Sequence, residues 1–152
     1  MYLLASAETT VSCSCARAFA YAADLENFAE WFPGVLGITA HNDLSFYEPG
    51  KQYLETVAVP LRGRRQVLIR IEEANPPHRL VTEGNLPLLL PRMEIDLESA
   101  GPETCTIRWR MFSRKDNPVA RWLVLPLARR TMRGRADAAL RNLARRLDDA
   151  SA

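Results

Sequence analysis

Histidine is nearly missing from this sequence: His41 and His78 are the only two, and they stand far apart. That pattern gives no support to a nucleophile–histidine–carboxylate triad. Neither a Gly-x-Ser-x-Gly elbow nor a glycine-rich phosphate loop is present. Cysteine occurs three times, an odd count, with Cys13 and Cys15 two residues apart. On a strand that spacing puts both side chains on one face, where a bridge between them is strained. A metal would need two more ligands than these cysteines provide, and the isolated histidines do not supply them. No metal and no cofactor are therefore expected, and the cysteines are expected to be reduced, in a cytoplasmic protein.

An excess of one charge is also lacking. Twenty basic residues face 18 acidic ones, too even a balance to indicate a nucleic-acid partner. Arginine does crowd the stretch from Arg114 to Arg146, which reads as the solvated face of a helix. No apolar run approaches the ~20 residues of a membrane-spanning helix, so stable membrane insertion is not expected. The opening residues have no basic flank, and Glu8 interrupts their apolar character, which argues against a secretory signal. No linker-like stretch divides the chain, so residues 1–152 read as one domain, monomeric or homodimeric.

What the sequence does hold is enough apolar material for a core. Hydrophobic residues make up 47% and charged residues 25%. At this length, folding buries roughly 70% of the surface of the unfolded chain.

The hydrophobic period changes twice along the chain. From Leu3 to Cys13 it is two, with Ala5, Ala7, Thr9 and Val11 on one face, the pattern of a strand with one wet side. Ala16 to Phe32 switches to helical spacing through Phe19, Phe28 and Trp31, and reads as two short helices broken near Asp24 and ended by Pro33-Gly34. Strands follow over Val35–His41, Lys51–Val59, Arg65–Glu73, His78–Glu83, Leu89–Glu98 and Thr104–Ser113. Glycine, proline and asparagine punctuate them at hairpin distances, which argues for an antiparallel meander. Asn117-Pro118 then opens a helix. Leu125, Met132, Ala136, Leu140, Leu143 and Leu147 form its apolar stripe, and Pro126 is expected to kink or divide it.

Strand phase says which side chains face the helix. Cys105, Ile107, Trp109 and Met111 share one face of the last strand, and Met93, Ile95 and Leu97 one face of the strand before it. Val67, Ile69 and Ile71 do the same further back. The opposite faces carry Arg and Glu, so the sheet is covered on one side only. Glu55 breaks the pattern, because it shares the phase of Tyr53, Val57 and Val59. It either points under the helix, where a lone carboxylate is costly, or sits at a wet rim where the strand twists. Glu83, in phase with Val81, poses the same question.

The order of elements resembles the helix-grip plan of the START-like (SRPBCC) superfamily. The stretch Phe19-Ala-Tyr-Ala-Ala-Asp24 followed by Trp31-Phe32-Pro33 is similar to the helix pair of its polyketide cyclase/dehydrase and lipid-transport branch. Pro49-Gly50, and Glu72-Glu73-Ala-Asn-Pro-Pro77-His-Arg79-Leu, fit the same branch; Glu103-Thr104 departs from a Gly-Thr pair found there. The resemblance implies an α+β fold, a curved antiparallel sheet of about seven strands wrapped around a long C-terminal helix, with two short helices after the first strand.

It also implies a deep cavity holding a sterol, lipid, polyketide or other apolar ligand, whereas the same inward residues taken alone more often fill a solid core. From the sheet, the candidate ligand-binding residues are Tyr53, Glu55, Val57, Ile69, Glu83, Met93, Ile95, Trp109 and Met111. From the helices they are Trp31, Leu125 and Met132. Three functions stay open: a binding or carrier domain, an aromatase/cyclase-type enzyme, and an interaction module with an incidental cavity. Enzymatic candidates placed by phase alone are Tyr53, Glu55, Glu83 and Arg92. A gate is expected from Leu86, Leu88 and Leu89 together with Trp122 and Leu123, because both segments are apolar where a single buried stripe cannot cover them. Membrane contact or a dimer interface would use the same residues.

Overall fold

In the computed structural model, which describes residues 1–151, the chain begins with strand β1 (Tyr2–Val11). Its Leu4, Ala5 and Val11 are buried. Ser14 then caps α1 (Cys15–Ala22), its side-chain oxygen accepting from the Arg17 N–H at 3.3 Å. Asp24 caps a single 3₁₀ turn (Leu25–Asn27) in the same way, and α2 (Phe28–Trp31) follows directly. Strands β2 (Val35–Ala40), β3 (Gln52–Val59), β4 (Gly63–Asn75), β5 (Arg79–Gly84), β6 (Pro91–Gly101) and β7 (Thr104–Ser113) form a meander. Every neighbouring pair is antiparallel, in the order β1-β7-β6-β5-β4-β3-β2.

Two helices close the chain, α3 (Pro118–Leu123) and α4 (Leu125–Ser151). The Asn117 side chain accepts from the Val119 N–H at 2.9 Å, as an N-cap should. Pro126 falls in the first turn of α4, where its missing N–H costs no helical bond, so the helix is divided just ahead of it. Helix α4 is tied along its length to the edges of the grip. Arg129 donates to the Leu3 carbonyl at 3.1 Å, Asn142 to the Trp31 carbonyl at 3.2 Å, and the Ser12 N–H to Asp148 at 2.8 Å.

Three expectations are corrected. β4 is longer than Arg65–Glu73, running from Gly63 to Asn75. β6 starts at Pro91 rather than Leu89, because residues 86–90 curl into a turn in which the Leu90 N–H reaches the Leu86 carbonyl at 2.7 Å. The cysteines are not all reduced: Cys15 is bridged to Cys105, with Cα atoms 5.1 Å apart, and only Cys13 is free. The pairing is one of topology. β7 lies beside β1 with Cys105 opposite Val11, which brings Cys105 to the start of α1 across a separation of 90 residues. The argument for a reducing compartment from unpaired cysteines falls with it.

Candidate functional site

The concave face of the sheet is filled at one end and hollow at the other. Under the second half of α4, Ala139, Leu140, Leu143 and Leu147 pack into the core with the inner residues of β1 and β7. At the middle of the grip α2 contributes an aromatic plug. Phe28 meets Trp31 edge to face with ring centres 5.0 Å apart, and Phe32 lies tilted against Trp109 at 5.1 Å. Beyond Phe28 and Phe32 lies a cavity of about 1190 Å³, closed by the first turns of α4.

Its walls are mainly aliphatic and thioether. Val57, Ile69, Met93 and Met111 come from the sheet, and Leu127 and Met132 from α4. Thr82 is the buried hydroxyl on the wall. Glu55 is the buried carboxyl. It is opposite Val67 in β4 and Ile38 in β2, is 6% exposed, and makes no ion pair among the described residues. Its Oε2 has no hydrogen-bond partner among them either. Burial alone, with no neighbouring charge contributing, pushes its pKa up to about 8 from 4.5. At neutral pH it is mainly a neutral acid, able to donate one hydrogen bond and accept others.

Basic side chains stand toward the open end. Arg62 and Arg65 line it from the β3–β4 hairpin, and Arg135 from α4. Arg135 donates to the Ala58 carbonyl at 2.9 Å and has no carboxylate partner among the described residues, and its burial depresses its pKa.

The phase-based candidates thus separate into three groups. Glu55, Val57, Ile69, Met93, Met111 and Met132 line the cavity. Trp31, Tyr53, Ile95, Trp109 and Leu125 are buried but lie outside its lining, the two tryptophans behind the rings of Phe28 and Phe32. Glu83 and Arg92 are on the opposite face, where Arg92 bridges Glu83 at 3.1 Å and Glu94 at 2.9 Å. The inward phase of β5 is Leu80 and Thr82, the residues paired with inner Ile95 and Met93 of β6. That phase was readable from Leu80, but the buried Val81 outside masked it. Phe28 and Phe32, read in the sequence only as part of the helix pair, and Arg135, which no pattern marked, also line the space. Of the gate residues, Leu86, Leu88, Leu89 and Leu123 line the cavity, whereas Trp122 points to solvent. The turn holding Leu86–Leu90 is pinned from β7, where Ser113 donates to the Leu89 carbonyl at 2.6 Å.

A seven-stranded antiparallel sheet gripping a C-terminal helix over such a cavity defines a START-like protein. The chain belongs to the polyketide cyclase/dehydrase and lipid transport family, whose model matches residues 4–148. Among solved structures it is similar to a START superfamily protein from Mycobacterium smegmatis, with TM-score 0.74, 15% identity, and 97% of this chain and 99% of that chain covered. A protein from Thermus thermophilus gives TM-score 0.75 at 15% identity with the same coverage. The di-domain ARO/CYC BexL gives TM-score 0.63 at 15% identity, over 94% of this chain and 50% of that one. A search of curated proteins finds no match. Among the described residues no helix is long and apolar enough to cross a membrane.

Proposed function

We propose that this chain binds and carries an apolar small molecule, a lipid or polyketide in chemical class, in the cavity between sheet and α4. The supporting observation is a volume of about 1190 Å³ walled by apolar side chains around one unpaired, neutral carboxyl. Ligand pockets are typically roughly 300–1,000 Å³, apolar, with a few polar groups that set orientation. Glu55 suits a hydroxyl or carbonyl of the ligand, since either satisfies the stranded Oε2 without bringing in a charge. The wall formed by Leu86, Leu88, Leu89 and Leu123 is the gate in this reading.

Native mass spectrometry of the purified protein, followed by displacement of the neutral probe N-phenyl-1-naphthylamine, tests the proposal. A bound small molecule that competes with the probe is the expected result. A bare chain that leaves the probe dark would end it.

A second reading has one observation in its favour. An acid held neutral near pH 7 inside a mainly apolar cavity is what proton donation to a folding polyketide chain needs. Of the four polar candidates only Glu55 lines the cavity, so a cyclase would lose turnover with Glu55→Gln while still binding its substrate.

A further inference from the structure

The open end of the cavity is built from parts that a protein in water ordinarily keeps covered. The β3–β4 hairpin carries Leu61 at its tip, 97% exposed and held at φ +65°. Leu123 is 74% exposed and Trp122, beside it, 78%. Leu88 and Leu127 add further exposed apolar surface. Leu61, Leu88, Leu123 and Leu127 also line the cavity, so these side chains form its rim from three separate stretches of chain.

The charge around the rim is as uneven as the apolar exposure. Residues 60–66 and 121–135 hold eight of the chain's 20 basic residues and none of its 18 acidic ones. Arg62, Arg64, Arg65 and Arg130 are exposed and have no ion pair among the described residues. On the outer face of the sheet, by contrast, arginines are neutralised in pairs such as Arg79–Asp96 and Arg110–Glu94.

We propose that this rim docks the protein onto an anionic lipid bilayer, with Trp122, Leu123 and Leu61 entering the headgroup region and the arginines meeting lipid phosphates, so that the cavity opens onto the membrane. Trp and Leu flanked by arginine is the chemistry of interfacial binding, in which apolar burial and attraction to anionic lipid act together. A second copy of this chain fits the same surface poorly. A twofold contact sets a patch against itself, and here that would bring two unneutralised arginine clusters together. A nucleic acid would satisfy the arginines and leave the indole and leucines in water. The proposal does not depend on which molecule the cavity holds.

The native chain contains its own reporter. Trp31 and Trp109 are buried and Trp122 is the exposed indole, so a change in emission on adding vesicles reports on Trp122. Vesicles of phosphatidylcholine with phosphatidylglycerol should sediment the protein, shift its emission to the blue and allow quenching by brominated acyl chains. Phosphatidylcholine alone should bind at least about tenfold more weakly, and binding to the mixed vesicles should fall with added salt. Trp122→Ala and Leu61→Asn, both at exposed positions, should lower sedimentation with the fold intact by circular dichroism. The pair Arg64→Gln and Arg130→Gln should lower it by about tenfold or more. Equal binding to both vesicle types, binding unmoved by these variants, or no binding would each overturn the proposal. So would analytical ultracentrifugation showing a dimer that shields Trp122 from acrylamide without lipid.

Discussion

Arg135 lies across Gly34: the guanidinium occupies the space that a Cβ at position 34 would need, and the glycine is held at φ +90°. This contact fastens the first half of α4 to the loop after α2, and thereby fixes how far the helix stands from the sheet over the cavity. Gly34→Ala should destabilise the protein by about 1–3 kcal/mol through backbone strain and collision together. Combining it with Arg135→Ala should recover only the collision, so the two changes will be non-additive in denaturant titrations. Simple additivity would show that the two residues do not bear on each other.

Glu55 should make stability fall as pH rises. Its folded-state pKa lies near 8 against 4.5 for the free group, so between those values the folded chain holds a proton that the unfolded chain has lost. The penalty is absent below about pH 4.5, grows through neutrality and levels off above about 8, reaching roughly 4–5 kcal/mol. Glu55→Gln should remove that slope and unfold at higher urea than the native protein at pH 8.5. Parallel pH profiles for the two proteins would place Glu55 in water.

Trp109 is fully buried, against Phe32 on the inner side. Trp109→Ala should cost about 3–5 kcal/mol, as large aromatic truncations do. Acrylamide should quench one class of accessible indole, Trp122, and leave the other two protected. Ready quenching of all three would mean that the aromatic plug is not closed.

The bridge between Cys15 and Cys105 has a direct check. Alkylation of the unfolded protein without reductant should label one thiol, that of Cys13, and after reduction all three. Closing a loop across 90 residues should add on the order of 2–4 kcal/mol, read as the stability difference between oxidised and reduced protein. Three reactive thiols before reduction would remove the bridge.

Gating by the rim predicts coupled protection. On binding an apolar ligand, amides in residues 86–90 and 122–127 should slow in hydrogen exchange together, at a concentration where the protein is monomeric. Complete protection of both before ligand is added would indicate a permanent contact instead.

The sequence by itself determined the order of elements and the alternation along each strand. It put Glu55 in phase with Tyr53 and Val57 while leaving open whether that residue points under the helix or to a wet rim. Each of these is a local periodicity: alternation decides which side of a strand a residue occupies, and the run Tyr53, Glu55, Val57 keeps that phase through β3. Only the tertiary structure decided what lies opposite each inward residue. Trp109 and Met111 share one face of one strand, yet one meets Phe32 and the other an open cavity, because α2 plugs only part of the grip. Likewise Val81 is buried on the outer face, where its register partner Glu94 is bridged by Arg79, Arg92 and Arg110, so burial and inward phase part company in β5. Cys105 meets Cys15 because β7 is the strand that pairs with β1, and a pairing between residues 90 apart leaves no mark on either local pattern.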